Sequence, residues 1–309
     1  MGADEPVNSG MRGFIYGISA YLLWGIFPFY LKAVSHIPAI EVVAYRVLVS
    51  VPVAGVIILA LGRTQDLKRA FASPKTLAAA TLTATLISIN WGLYVWAIAV
   101  ERTVEAAFGY YINPLVSIML GAVFLGERFN RLQTFAIALA VIAVGILTVH
   151  EGGLPWISLC LAFSFGFYGF FRKTMPVGPT QGFFLEVVLL SLPALVLVLV
   201  LAHRGTDHFL AGDPVDTWLL LLAGPTTAIP LILYAWGAKL LPLSTIGLMQ
   251  YVTPTMMFLI AIFVFREPFS SWQLVAFCFI WTALALYSWS TLREVRTRAR
   301  NAKLEAQGG

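Results

Sequence analysis

Three charged side chains lie inside strongly apolar stretches of the sequence, where a charge is costly to keep. They are Arg46, Glu105 and Glu186. A charge at the centre of a bilayer costs about 2.5 to 3.5 kcal/mol on insertion scales, so such residues usually mark a substrate path, an ion path or a buried pair. Arg46 and Glu186 are 140 residues apart, and we interpret them as counterparts at opposite gates of a binding site. The alternative is that each only hydrogen-bonds freed backbone carbonyls or interfacial groups.

Glu105 lies near the start of its apolar stretch, at about the same depth as Arg46. At 1.5 Å per residue, Arg46 is about 9 Å from the outer end of its own stretch, so contact between the two side chains is geometrically feasible. Glu105 is therefore a candidate for a gate or an ion pair. Its side chain could equally extend to the membrane surface.

A second group of side chains joins apolar bodies to hydrogen-bonding tips, which suits recognition of a neutral or amphipathic organic molecule. Tryptophan and tyrosine also form belts at membrane interfaces, and we assign Trp96 and Trp236 to such belts because they lie near helix ends. With the charged candidates, the predicted substrate-binding residues are Arg46, Asn90, Tyr94, Tyr111, Asn113, Glu186, Tyr234, Gln250 and Tyr251.

The composition indicates that a membrane holds these residues. Hydrophobic residues make up 59% of the chain and charged residues 11%, against about 45 to 50% and about 25% in soluble proteins. A membrane-spanning helix needs about 20 largely apolar residues. Ten stretches qualify: 13–33, 40–61, 76–98, 103–124, 130–148, 154–171, 181–202, 217–238, 243–265 and 270–292. The sequence thus predicts an all-α membrane protein with ten transmembrane helices.

The second half of the chain repeats the first at a constant offset of 140 residues. Tyr94 and Pro114, for example, recur as Tyr234 and Pro254. Because each half holds five predicted helices, an odd number, the second half should enter the membrane from the opposite side, as in the inverted repeats of secondary transporters. We predict one repeat over residues 1–150 and an inverted repeat over 151–309, ending in a basic cytoplasmic tail, 293–309.

Lysine and arginine placement predicts the orientation, because cytoplasmic loops carry the excess of positive charge. With the N-terminus inside, fifteen basic residues fall in cytoplasmic segments, Arg63, Arg172 and Lys173 among them, and three in outer connections. Both termini should therefore be cytoplasmic in a bacterial inner membrane. Anionic lipid headgroups account for the net charge of +5, so membrane lipids are expected partners and nucleic acid is not.

Several residues favour structural roles. Glu127 and Glu267 follow the fourth and ninth stretches, and we interpret them as helix-capping or loop-closing carboxylates in preference to substrate contacts. The matched prolines Pro114 and Pro254 indicate matched kinks or ordinary packing. The two cysteines, Cys160 and Cys278, are expected to be small buried hydrophobes.

Several motifs can be compared with those of known families: Tyr45-Arg46, Ile89-Asn90-Trp91, Gly109 to Leu115, Gly126-Glu127-Arg128 and Ala162 to Phe165. By these motifs the chain resembles the EamA-type proteins of the drug/metabolite transporter superfamily and, within them, the RarD group. The resemblance implies a drug/metabolite transporter fold and a permease whose relatives carry a chloramphenicol label that does not establish the physiological substrate. Arg266 stands where the first repeat has Gly126, so the Gly-Glu turn is only partly symmetrical.

We hypothesise a secondary active transporter of small organic molecules, such as drugs or metabolites, that works by alternating access. The chain lacks a phosphate-binding loop, so energy should come from a gradient, and Glu186 is the candidate for coupling to protons. A non-transporting membrane sensor or scaffold is the alternative, whereas a channel lacks rings of like charge. No catalytic constellation, metal cluster or cofactor motif is present in the sequence, so we expect no enzyme and no cofactor.

Overall fold

The computed structural model describes residues 5–99, 103–150, 156–209, 213–264 and 270–308. Within these ranges the regular structure is entirely helical, so the all-α prediction is confirmed. The helices are α1 Glu5–Ala33, α2 Ala39–Ala60, α3 Thr64–Phe71, α4 Pro74–Ala99, α5 Thr103–Leu125, α6 Arg131–His150, α7 Trp156–Thr174, α8 Pro179–His203, α9 Pro214–Leu240, α10 Leu243–Met249, α11 Val252–Phe263 and α12 Ser271–Gly308.

The predicted apolar stretches coincide with these helices. In the described part of the chain, six helices are long and apolar enough to cross a membrane, and shorter apolar segments lie at Gly109–Leu125 and Leu274–Ser290. Both cysteines are free and exposed on the outside of the helix bundle, so the expectation that they are buried is wrong. The count of ten spans and the direction of each stay predictions.

The ninth apolar stretch is divided into α10 and α11. Pro254 lies in the first turn of α11 and has no N–H to give to the carbonyl of Gln250. That carbonyl instead accepts a hydrogen bond from the N–H of Thr253, at 3.1 Å. Pro114, the counterpart in the first half, lies inside the continuous helix α5. The matched prolines therefore do not produce matched breaks.

Helices from the two halves interdigitate. The offset of 140 residues exchanges α1, α2, α4, α5 and α6 with α7, α8, α9, α10–α11 and α12. The helix contacts follow this exchange. The contact of α1 with α9 has its equivalent in the contact of α7 with α4. The pairs α2–α8 and α6–α12 each join a helix to its own counterpart. The Tyr251 hydroxyl donates to the carbonyl of Tyr111, its own counterpart, at 3.0 Å. The division at residue 150 and the inverted orientation stay predictions.

A short connection between α8 and α9 is bound to the corner between α1 and α2. The buried Glu41 carboxylate accepts the backbone N–H of His208 at 2.7 Å and lies 2.8 Å from its Nδ1. The Tyr45 hydroxyl donates to Asp207 at 2.9 Å, and His36 Nε2 lies 2.7 Å from Asp216. These polar groups join the two halves at the predicted outer end.

The crossing of α2 and α9 is tight at Gly224. A Cβ added there would lie 2.7 Å from the backbone carbonyl carbon of Val49, so the backbone itself would have to move. Ser50 Oγ on α2 also donates to the Gly224 carbonyl, at 3.3 Å. The absent side chain thus lets two helices of opposite halves touch.

We expect Gly224→Ala to lower the free energy of unfolding by about 1 to 3 kcal/mol, the usual range for overpacking. Thermal unfolding of the detergent-solubilised protein measures the loss. Gly145→Ala is the matched control, because a Cβ on that helical glycine would meet nothing within 4 Å. Equal unfolding temperatures for the two variants would show that α2 and α9 can move apart enough to accommodate the added methyl group.

Candidate functional site

A cavity of about 120 Å³ lies between the two halves, well above the 10 to 15 Å³ that one water needs. The first half contributes α1, α2, α4 and α5, and the second contributes α7, α9 and the segment around the α10–α11 break. The lining residues are Trp24, Phe27, Leu31, Arg46, Asn90, Trp91, Tyr94, Tyr110, Phe165, Leu231, Gln250, Thr253 and Pro254.

Arg46 carries the positive charge of this lining. Its Nε donates to the Thr227 hydroxyl at 2.8 Å, which holds the half-buried side chain across the α2–α9 crossing. The guanidinium carbon lies 4.8 Å from the centroid of the Trp91 ring and 5.2 Å from that of Phe27. Cation–π contacts at these distances partly compensate a desolvated guanidinium.

Neutral polar groups surround Arg46. The amide nitrogen of Asn90 donates to the carbonyl of Leu161 and to the hydroxyl of Ser164, both at 3.0 Å, and so holds α4 against α7. Tyr94 and Tyr110 meet edge to face with ring centroids 5.7 Å apart. Gln250 reaches the cavity because α10 ends at this point.

Four of the predicted substrate-binding residues line the cavity: Arg46, Asn90, Tyr94 and Gln250. The structure places the other five elsewhere. Tyr111 packs edge to face on Phe277 with ring centroids 5.6 Å apart. Asn113 is buried, outside the cavity lining. The roles assigned to all these residues stay predictions, and the Glu105 side chain lies outside the described residues. The five residues outside the lining are Tyr111, Asn113, Glu186, Tyr234 and Tyr251.

Several aromatic and aliphatic lining residues were absent from the predicted set. Trp24, Phe27 and Leu31 follow one another at spacings of three and four residues, which puts them on one face of α1. Such a spacing is also typical of ordinary helix packing. The spacing alone could not identify these three residues as cavity lining. That would also have required knowing that α1 packs across α9, a contact between the halves.

Glu186 lies in a buried polar cluster with Arg172 and Tyr168, and none of the three lines the cavity. Arg172 Nη1 is 3.4 Å from Glu186 Oε1, and the Tyr168 hydroxyl donates to Glu186 Oε2 at 3.2 Å. The two charged side chains are 1% and 2% exposed. The assignment of Arg172 to a cytoplasmic segment stays a prediction. Its side chain nevertheless folds inward, because Nη2 donates to the Pro179 carbonyl at 2.5 Å.

An aromatic layer, to which Tyr168 itself belongs, separates the charged pair Arg172 and Glu186 from the cavity. Phe165, which lines the cavity, lies 5.7 Å from Tyr168 and 5.6 Å from Tyr234, measured between ring centroids. Trp24 lies 5.8 Å from Tyr234, and Tyr168 stacks on Tyr234 at 6.3 Å. This aromatic layer therefore lies on the Glu186 side of the cavity, the predicted cytoplasmic side.

Glu127 caps a helix of the other half. Its carboxylate accepts the backbone N–H groups of Leu243, at 2.5 Å, and of Ser244, at 3.0 Å, at the start of α10. The preceding Gly126 has a φ of 65°, a conformation that favours glycine. The capping role predicted for Glu127 is confirmed; Glu267 lies outside the described residues.

The model of the EamA-like transporter family matches residues 11–149 and again 153–289. Among curated relatives, Protein RarD of Streptomyces exfoliatus is 40% identical over 97% of this chain and 94% of its own. Protein RarD of Escherichia coli strain K12 is 37% identical over 94% of this chain and 98% of its own. The Chloramphenicol-sensitive protein RarD of Pseudomonas aeruginosa is 31% identical over 94% and 97%. A crystal structure at 18% identity superposes with a TM-score of 0.68 over 89% of this chain and 96% of its own, a likeness of fold alone.

Proposed function

Because the chain belongs to the EamA-like transporter family, and is thus a multi-pass membrane transporter of the drug/metabolite transporter superfamily, we propose that it moves a small organic molecule across the bacterial cytoplasmic membrane by alternating access. The observation that carries the proposal is the cavity between the halves, lined by helices of both. A site shared by two similar halves can be opened to either side when one half rocks against the other. Both termini are cytoplasmic in this proposal.

The packing on the Glu186 side of the cavity supports this mechanism. The layer of Trp24, Phe165, Tyr168 and Tyr234 closes the side nearer Glu186, and the Glu127 cap ties the halves together beyond it. Rocking would have to separate these groups. A non-transporting sensor or scaffold predicts a core packed solid by apolar residues, whereas this cavity contains an arginine and two amides.

An ion or substrate gradient supplies the energy in this proposal. Glu186 is the candidate for proton coupling because it is a buried carboxylate that accepts from Tyr168 and pairs with Arg172. Uptake into proteoliposomes that is indifferent to an imposed pH gradient would rule out that coupling. Drugs belong in the substrate panel, since one relative is named for chloramphenicol sensitivity.

We expect Arg46→Ala to reduce counterflow of the substrate in proteoliposomes at least tenfold, because a charge-assisted contact of about 1.5 to 3 kcal/mol is lost. A thermal-shift screen of antibiotics, amino acids and nucleosides against the purified protein first identifies that substrate. Arg69→Ala is the matched control, since the Arg69 side chain is 83% exposed. Arg63 is unsuitable because its guanidinium lies over the Trp236 ring at 5.2 Å. Equal activity of the two variants at equal expression would remove Arg46 from the site.

A further inference from the structure

Resting on the proposed transport function, we infer that the substrate is an organic monoanion, with a carboxylate or similar planar oxyanion that binds Arg46 and an apolar, preferably aromatic body. The structure treats two arginines inside the helix bundle differently: Arg46 is half-buried in the cavity wall, and Arg172 is fully buried. Arg172 has Glu186 as its counter-charge at 3.4 Å. Arg46 has no carboxylate within ion-pair distance among the described side chains. A buried charge that has been removed from water needs such a partner.

The unused hydrogen-bond donors of Arg46 suit a planar anion. A guanidinium offers five N–H donors in a fixed fork, and Nε is occupied by Thr227. The four donors on Nη1 and Nη2 have no hydrogen-bond acceptor among the described residues, while the side chain lines the cavity. Two parallel N–H donors match the two oxygens of a carboxylate, which accounts for the specificity of such bidentate pairs.

The charge of the lining points the same way. Arg46 is its one ionisable acid–base group apart from tyrosines, and the remaining polar residues are neutral; all thirteen lining residues belong to the described part of the chain. A cationic substrate would add a second positive charge without a counter-charge. A neutral substrate would leave the Arg46 charge without a counter-charge. A monoanion neutralises the site, which lowers the penalty for removing its own charge from water.

The body of the substrate is defined by the aromatic residues. The faces of Trp91 and Phe27 are already turned to the Arg46 guanidinium, so a planar anion bound there would lie along the same rings. Trp24 and Phe165 form the side of the cavity nearer the buried polar cluster. A flat apolar body can pack on such rings, whereas a heavily hydroxylated one would leave polar groups unsatisfied. The neutral amides Asn90 and Gln250 then fix orientation.

Three probes that share one ring and chain length test the inference: 3-phenylpropanoate, 3-phenylpropanamide and 3-phenylpropylamine. Thermal shift and equilibrium binding are measured on the full-length protein in detergent. We expect the carboxylate to bind more tightly than the amide and the amine, and Arg46→Gln to weaken carboxylate binding about 10- to 100-fold. Arg46→Lys should lose less carboxylate affinity, since lysine keeps the positive charge but lacks the two parallel N–H donors of the guanidinium. Arg69→Gln is the control for a surface arginine and should bind as the parent protein does.

The outcomes separate this inference from the transport proposal. Equal or tighter binding of the amide or amine, carboxylate binding that persists in Arg46→Gln, or no binding of any probe would each overturn the monoanion inference. The parent protein in proteoliposomes then supplies the second readout. Arg46-dependent carboxylate binding without counterflow of the carboxylate would support the site and contradict transport of this class. Counterflow of a cation with no effect of Arg46→Gln would support transport and contradict the anion site.

Discussion

Replacing Glu186 by glutamine is expected to lower the free energy of unfolding by about 3 to 5 kcal/mol, because it leaves the Arg172 guanidinium buried without its counter-charge. The Arg172 side chain is 1% exposed and is held at Nη2 by the Pro179 carbonyl, so it cannot readily reach water. A glutamine could still accept from Tyr168, whose hydroxyl is 3.2 Å from Glu186 Oε2. The decrease in the free energy of unfolding is therefore due mainly to the lost negative charge and only slightly to the changed side-chain shape.

The matched rescue is the double variant Arg172→Met with Glu186→Gln. Removing both charges of a buried pair is often neutral or stabilising, whereas removing one is strongly destabilising. The double variant should thus unfold at nearly the parent temperature in detergent. Asp66→Asn is the control for an exposed carboxylate, since the Asp66 side chain is 54% exposed. A single variant as stable as this control would mean that Arg172 finds water or another partner.

The double variant also separates stability from transport. Because buried ion pairs contribute little net stability compared with apolar residues, the pair between Arg172 and Glu186 is weakly explained by folding alone. A double variant that is stable but inactive in counterflow would assign the pair to the transport cycle. A double variant that is both stable and active would mean that the pair serves packing and is not needed for transport.

Helix positions could be predicted from the sequence because the length of an apolar run is fixed by the thickness of the membrane. The repeat offset also paired residues that the structure brings together, as with Tyr111 and Tyr251. The partner of Glu186 could not be found in this way. Arg172 ends an apolar stretch among basic residues, and only the turn between α7 and α8 decides that its side chain folds back toward Pro179.

The cavity was predictable to the extent that polar residues are costly in a membrane. Arg46, Asn90 and Gln250 are conspicuous in apolar stretches for that reason. Trp24 and Phe165 are not conspicuous in the sequence, because aromatic side chains are equally common in helix packing, in interfacial belts and in binding pockets. The break between α10 and α11 was also hidden from sequence analysis. Pro114 and Pro254 are equivalent in sequence, yet only the second lies beside a helix end.

Glu127→Ala is expected to destabilise the protein by about 2 to 4 kcal/mol, since loss of a helix cap and unsatisfied buried donors each contribute about 1 to 3 kcal/mol without simple additivity. The carboxylate satisfies the N–H groups of Leu243 and Ser244, both of which belong to residues that are buried. The carboxylate also packs closely on Gly121, where a Cβ would lie 2.7 Å from its oxygen. Thermal unfolding in detergent measures the effect, with Asp66→Ala as the exposed control.

Glu127→Gln distinguishes capping from simple space-filling. The amide oxygen can accept from one N–H, but the amide nitrogen cannot accept from the other, so we expect about half of the loss seen with alanine. The cap also receives the Ser244 hydroxyl, which in turn accepts from Tyr287 at 3.0 Å. One carboxylate from the first half thereby organises α10 and α12 of the second. If glutamine were as damaging as alanine, charge on the helix N-terminus would be the dominant contribution; if both were harmless, α10 would be held by its packing on α5 alone.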